Sequence, residues 1–440
     1  MMEAVNPSLI ERLRTVPPLR ALTGVFLAIG LALAIPPMFL AFKKGPNKDY
    51  GRWYQVGCSV LEGGPVYFVP PDSPDQHVEF NYPPPAAGLL AALSLFGYVP
   101  MVAFLCVGNV IALPVTVRLA AELLDEPDER RRAIAAGVGG LAIIPYAAEN
   151  FLLGQPNLFL AMLVLGAMLA VRRGRQTAAG LLLAPAIVIK AFPAVYLFWL
   201  LWRRQWIAAG VAVVTTASAL LLFPGPGRDP QRNLDDLRTW HADMMGGYSQ
   251  EALVAIKGSK SWNLSNQSMV AVFHRLLRPL QAGKAEEDTC YVNFADLSFA
   301  QVNALLVLAV AALGAVHLWR TWGRDIDAAE CSMILLGVLM VTPYERTYYW
   351  IPFVLPLAAA VAEVLRRKAA GEPHQGLVAN LLGVGVMLAL TRLSDLPLPK
   401  LIRYWPQMAG NTFWATLWMF LLIAFAVKRR PKPLTPCSAP

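Results

Sequence analysis

The chain has 440 residues, 56% hydrophobic and only 15% charged, with a formal net charge of +9 and a mean hydropathy of +0.47. Soluble proteins carry about 25% charged residues, so this composition excludes an ordinary soluble fold. The excess of positive charge does not signal nucleic acid, because the arginines sit in short clusters between apolar runs, where they act as an orientation signal.

The apolar runs have the length of helical spans, which gives an all-α polytopic membrane protein. The first twenty residues, MMEAVNPSLIERLRTVPPLR, lack an apolar core followed by a small-residue cleavage site. They read as a cytoplasmic lead-in. The first span is expected at Ala21–Phe42. A polar, aqueous segment follows, Asp49 to Tyr82, carrying Asp49, Glu62, Asp72, Asp75, Glu79 and His77. The tract Pro84–Leu124 divides at Gly97 and Pro100 into a short outer helix, Pro84–Phe96, and a crossing, Pro100–Leu123. Further spans are expected at Ala133–Tyr146, Asn157–Val171, Ala178–Ile189, Pro193–Trp202 and Ile207–Phe223. A second polar segment runs from Pro224 to Ala300. It is followed by Val302–Trp319, Cys331–Val341, Trp350–Leu365, Leu377–Leu390 and Phe413–Val427. The whole is one integral membrane domain, residues 1–440, of about 12 crossings. Its outer loops span 43–83 and 224–300, and its cytoplasmic tails 1–20 and 428–440.

Basic clusters at Asp125–Arg132, Arg172–Arg175, Arg203–Arg204, Arg320–Arg324, Arg366–Lys368 and Lys428–Lys432 fall on alternate ends of successive spans. The positive-inside rule then puts both termini in the cytoplasm and both large loops outside. The predicted location is the cytoplasmic (inner) membrane, with the working face outward. Lys43, Lys44 and Lys48 run against this trend. The cytoplasmic connections are too short to house a nucleotide-binding domain, and no internal repeat of the transporter kind is visible.

The outer segments hold the candidate chemistry. Asp49 is the first acid beyond the first span; it reads as a solvated interfacial carboxylate or as a base that takes a proton from a hydroxyl. Tyr82, in FNYPPP, lines a site or belongs to the aromatic belt. Gln155 and Asn157, in ENFLLGQPN, are costly at membrane depth unless paired or facing water. Lys190, in AIVIKAFP, snorkels or faces a polar cavity, where its compact charge suits a phosphate. Asn266, Gln267 and Ser268 precede a helical stretch containing His274 and Arg275; they read as a cap, or as part of an anion site. In TPYERTYYW, Glu345 and Arg346 read as an ion pair, and the tyrosines as belt or as sugar-stacking walls. No HExxH, CxxC or His/Cys cluster has metal-ligand spacing, so neither a protein-built metal site nor a cofactor is expected. Five cysteines show no paired spacing and read as free thiols, with Cys58–Cys290 the one bridge the topology would permit.

Several of these motifs, in order, carry a resemblance. Asp49 with Trp53 and Tyr54, then GGPVY (Gly63–Tyr67), NYPPPAAGLL (Asn81–Leu90) and GQPN (Gly154–Asn157) are followed by AAGLLLAPAIVIKAFP (Ala178–Pro193), LLWRRQW (Leu200–Trp206) and SNQSMVAVFHRLL (Ser265–Leu277). The set resembles glycosyltransferase family 87, among the polyprenyl-phosphate-sugar-dependent (GT-C) enzymes. The resemblance implies an inverting hexosyltransferase, mannose favoured, with a polyprenyl-phosphate-linked sugar as donor and a glycolipid or glycan as acceptor. It implies Asp49 as general base, and Lys190, Arg346 and Arg275 as groups holding the leaving phosphate. It implies a sugar and acceptor pocket from Tyr82, Gln155, Asn157, Asn266, Gln267, Ser268, Glu345, Tyr348 and Tyr349, and no metal. One departure stands out: Tyr348 and Tyr349 occupy a turn where the family often has paired histidines, so the substrate is open there. The rival reading is a transporter or flippase for a lipid-linked glycan, which has no need of a first-loop carboxylate.

Overall fold

Pro18, whose fixed φ and missing N–H suit a first helical position, starts a long apolar helix, α1 (Pro18–Lys44). The computed structural model describes residues 17–68, 80–222, 225, 228–245, 261–283 and 290–428. Among these the chain is helical, with no strand. Val25, Leu31, Ile35 and Phe39 of α1 are exposed, a surface that belongs in lipid rather than water. The opposite face, with Phe26 and Gly30, packs against α4 (Tyr98–Leu123).

The first polar segment is partly helical. Residues expected as an aqueous loop form an amphipathic helix, α2 (Lys48–Leu61), which buries Tyr50, Trp53, Val56 and Val60 against α3 (Pro84–Ser94). Gly57 allows that approach: a Cβ there would sit 2.1 Å from Ser94 Oγ and 2.8 Å from the Leu90 carbonyl oxygen. Asp72, Asp75, His77 and Glu79 lie outside the described residues. Lys43 and Lys44 form the exposed last turn of α1.

The span expected at Ala133–Tyr146 is bent. It is α5 (Glu129–Ala142) followed by α6 (Ile144–Leu153), inclined at 50°. Pro145 explains the break, since it removes an N–H and crowds the preceding turn. Glu149 and Asn150, expected in a loop, are therefore helical, and the turn is confined to Gly154–Pro156. Next come α7 (Asn157–Arg172), α8 (Gln176–Ile189), α9 (Tyr196–Trp202) and α10 (Trp206–Leu222). The second polar segment contains α11 (Pro230–Met245) and α12 (Met269–Leu277). The chain closes with α13 (Phe299–Thr321), α14 (Ala328–Val341), α15 (Val354–Ala369), α16 (Gln375–Ala389), α17 (Lys400–Met408) and α18 (Asn411–Ala426).

Among the described residues, five helices are long and apolar enough to cross a membrane, and up to seven if each bent pair counts as one span. The other expected crossings coincide with shorter apolar helices of 10–17 residues, such as α7, α8, α10 and α14. Ion pairs tie one end of the bundle together, Arg172 to Asp125 at 2.6 Å and Arg203 to Glu330 at 3.1 Å, and within α15 Arg366 pairs with Glu363 at 2.7 Å. Cys58, Cys106, Cys290 and Cys331 are free thiols.

Candidate active site

The site grows from the joint between α2 and the end of α6. Gly154 has φ +84°, a left-handed conformation that L side chains rarely adopt. A Cβ there would also press on the Tyr50 ring at 2.7 Å. With no side chain in the way, Tyr50 lies over the turn and donates its hydroxyl to the Phe151 carbonyl at 2.8 Å. That bond fixes the first turn of α2, and so its neighbour Asp49, against Gln155.

Gln155 donates its Nε2 to Asp49 Oδ2. Its Oε1 accepts the Tyr82 hydroxyl at 3.0 Å. The Tyr82 ring is held edge-on by Trp53, with centroids 5.7 Å apart, and its carbonyl accepts Tyr67 Oη at 2.8 Å. Burial, then Tyr348 and the Asp49 charge, push the Tyr82 phenol well above its usual range. At neutral pH it is thus a donor, and the relay Tyr82–Gln155–Asp49 has one direction.

Lys190 closes the other side. α8 ends at Ile189 and the backbone turns extended at Lys190. Its Nζ lies 3.8 Å from the centroid of the Tyr349 ring and 5.7, 5.9 and 6.0 Å from those of Tyr82, Phe192 and Tyr348. It donates to Asn157 Oδ1 at 3.4 Å. Each of the four rings can make a cation–π contact with the ammonium. Tyr348 and Tyr349 are stacked, centroids 5.4 Å apart. Arg346, two residues away, donates Nε to the Tyr344 hydroxyl at 2.7 Å.

Asp49, Tyr82, Gln155, Asn157, Lys190, Tyr348 and Tyr349 are thereby brought together, with Arg346 beside them. Asn266, Gln267, Ser268, Glu345 and Arg275 do something else. Asn266 donates to the Ser261 and Pro343 carbonyls and accepts the Ser268 and Glu345 amides. Gln267 donates to the Leu264 and Gln407 carbonyls and accepts Thr412 Oγ1. Ser268 caps α12 through the Ala271 amide and donates to the Pro343 carbonyl. The Glu345 carboxylate accepts Trp350 Nε1, and burial raises its pKa well above the carboxylate range. No ion pair joins Glu345 to Arg346, because their side chains take different partners. Arg275 is fully buried and donates to the carbonyls of Met408, Trp262, Asn263, Asn266 and Gln407. Burial pulls its pKa down to about 9. These five residues clasp the turn that presents Tyr348 and Tyr349, and their polar groups are spent in doing so.

Two contributors were not singled out from the sequence: Tyr50 orients the turn, and Asn150 accepts the Asn157 amide at 3.1 Å and donates to Asn109 at 3.3 Å. Trp53, quoted above only as a motif residue, holds Tyr82. The only sequence signal for the asparagines was polarity inside apolar runs. An apolar groove of about 150 Å³ adjoins the relay, bounded by Trp53, Leu90, Phe104, Gln155 and Phe159 among others. A larger cavity of about 260 Å³ lies among Asp125, Asp327, Glu363 and Arg366. It is at the ion-paired end, away from this chemistry, and those charges already have partners.

The described residues thus form a helical bundle with lipid-compatible faces that brings a carboxylate, Asp49, and an ammonium, Lys190, into one polar site. The sequence profile of glycosyltransferase family 87 matches residues 80–343, well over half of the chain, and the chain belongs to that family. It is also similar to a polyprenol-phosphate-mannose-dependent alpha-(1-2)-phosphatidylinositol pentamannoside mannosyltransferase of Mycobacterium tuberculosis. The two are 26% identical over 393 residues, covering 86% of this chain and 82% of the relative. The protein of the same name from Mycolicibacterium smegmatis is 26% identical over 309 residues, covering 69% of this chain and 67% of the relative. The profile match includes Tyr82, Gln155, Asn157 and Lys190, while Asp49, Arg346, Tyr348 and Tyr349 lie beyond its ends.

Proposed function

We propose that this glycosyltransferase moves a hexose, mannose favoured, from a polyprenyl-phosphate sugar to a hydroxyl of a glycolipid or glycan acceptor at the outer face of the membrane. The observation that carries the reading is the Asp49–Gln155–Tyr82 relay facing the caged Lys190. In this mechanism Asp49 takes the acceptor hydroxyl proton as the oxygen attacks the anomeric carbon. The bond from that carbon to the phosphate oxygen breaks, and the electron pair leaves on the polyprenyl phosphate. Lys190, with Arg346 nearby, meets the charge that develops on the phosphate. A single displacement inverts the anomeric centre. Gln155 orients the carboxylate, and the Tyr348–Tyr349 pair offers ring faces to the sugar. Arg275 and the Asn266–Ser268 segment support the turn and take no part in binding.

Outer-face action is supported by where each helix places its charges. α7 has Asn157 at one end and Arg172 at the other; α8 runs from Arg175 to Lys190; α15 follows the Tyr349 segment and ends in Arg366, Arg367 and Lys368. If the arginine ends face the cytoplasm, as the positive-inside rule requires, the site faces outward.

The test is reconstitution of the full chain in liposomes with radiolabelled polyprenyl-phosphate mannose and a phosphatidylinositol mannoside acceptor. Transfer with inversion is expected. Movement of the donor across the bilayer without any transfer would replace the reading with the flippase.

A further inference from the structure

We infer that the N-terminus of α7, with Asn157 and Lys190, is a binding site for a phosphate that carries an apolar chain. The inference rests on the proposed donor class and adds to Lys190 a residue, Asn157, that the resemblance placed among the sugar contacts. Three observations support it.

The first is an unpaired donor. Asn157 is 3% exposed, and its Nδ2 has no hydrogen-bond partner. Its Oδ1 already accepts Lys190, so the amide cannot be turned round to hide the deficit. Its backbone N–H is engaged by Asn150 Oδ1, which holds the residue in place. A buried polar donor without an acceptor costs about 1–3 kcal/mol, and such atoms call for an explanation. A phosphate oxygen is a suitable acceptor.

The second is the field. Asn157 is the first residue of α7, a helix of 16 residues. The opening N–H groups of a helix lack intrahelical acceptors and carry a partial positive charge, an arrangement that receives phosphates elsewhere. The Lys190 ammonium lies within hydrogen-bond reach of the same amide. Both charges favour an anion.

The third is the neighbouring groove. Its walls include Gly154, Gln155 and Pro156, which lead directly into Asn157, and Ile189, which leads into Lys190. The rest is nearly all hydrocarbon, from Trp53, Phe80, Leu90 and Phe159 among others. Leu89 and Phe104, at its rim, are 52% and 62% exposed, so it opens sideways to the bilayer. About 150 Å³ is below the roughly 300 Å³ lower end of small-molecule pockets. The groove thus takes a short stretch of chain and leaves the remainder in lipid. Asn157 and Lys190 are the next residues along the chain from this wall, so a phosphate held by them has an apolar slot close by for the first part of its chain.

The experiment measures binding of geranyl phosphate and of inorganic phosphate to the purified full chain, together with donor and acceptor KM. Asn157→Asp retains the shape, suits a helix N-terminus, pairs with Lys190 and repels phosphate. It is expected to weaken geranyl phosphate binding and raise donor KM by roughly ten- to hundred-fold, with acceptor KM within about two-fold. Asn157→Ala, which removes the amide without adding charge, is expected to give a smaller loss in the same direction. Wild-type affinity for geranyl phosphate in both variants, or a change confined to acceptor KM, overturns the site. Equal affinity for inorganic and geranyl phosphate overturns the apolar-chain part. Wild-type protein that transfers sugar yet binds no geranyl phosphate overturns the site and leaves the function standing. Absence of transfer from every polyprenyl-phosphate sugar removes the function, and the binding arm then decides the site by itself.

Discussion

Replacing Asp49 by Asn is the sharpest perturbation of the proposed chemistry. The amide keeps the volume and offers an oxygen to Gln155 Nε2, so the relay to Tyr82 at 3.0 Å survives. The anchor of α2, Tyr50 to the Phe151 carbonyl, is untouched. What is lost is the ability to take a proton. Positioned general bases contribute about 10²–10⁴-fold, which corresponds to roughly 2.7–5.4 kcal/mol of barrier at about 1.36 kcal/mol per decade. Removing Gln155 instead, by Gln155→Ala, leaves the base but frees its orientation. A hydrogen bond to a charged group is worth about 1.5–3 kcal/mol, so the loss should be smaller, on the order of ten- to hundred-fold in kcat. The assay is initial-rate transfer with purified protein and saturating donor, with thermal midpoint as a check on folding. Asp49→Asn should fall in kcat with donor KM nearly unchanged, because the carboxylate is assigned to the acceptor proton and not to the phosphate. An Asp49→Asn protein with more than about a tenth of wild-type kcat would refute the base assignment. So would a loss carried wholly by KM.

Further outcomes separate the binding groups from the supporting ones. Lys190→Met should cost roughly 10²–10³-fold in kcat/KM for the donor, the scale of a lost electrostatic contact to a developing charge. Tyr349→Leu, which removes the ring 3.8 Å from the ammonium, should cost about 2–30-fold for a lost cation–π contact, while Tyr349→Phe should stay near wild type; equal losses in the two would show that the hydroxyl matters. Arg275→Gln leaves several carbonyls without a donor, so it should lower the unfolding temperature or the yield, with donor KM of the surviving protein unchanged; a stable variant with raised donor KM would return Arg275 to the phosphate. His274 accepts Arg278 Nη1 at Nδ1 and gives Nε2–H to Asn303, each at 3.3 Å, so the folded state holds it neutral. Burial brings its pKa down to about 4. A depressed folded pKa means stability is full above the unfolded value near 6.5 and declines as pH falls towards 4, by up to roughly 3 kcal/mol. The fall in thermal midpoint over this window should flatten in His274→Gln.

The family-level architecture was legible because it depends on local composition. Long apolar runs, Pro18 at a helix start and arginines at alternate ends each act within a few residues of themselves, so spans such as Ala178–Ile189 and Phe413–Val427 lie close to α8 and α18. Local patterning failed at Pro145, where one expected span became two inclined helices. It failed again at Lys48–Leu61, whose apolar face is visible only once α3 is there to receive it. The residue types at the site were also legible, since Asp49, Gln155 and Lys190 are polar groups in apolar surroundings. Their partnership was not. Asp49 meets Gln155 across 106 residues, and that distance closes only because Gly154 lacks a side chain and Tyr50 fills the space. Arg275 shows the converse. As a sequence symbol it is a cation in an outer segment, a phosphate candidate like Lys190. In the fold its five N–H groups are surrounded by backbone carbonyls, whereas the Lys190 ammonium rests on aromatic faces. Charge is a property of the residue, but the partners that surround that charge are set by packing between distant parts of the chain.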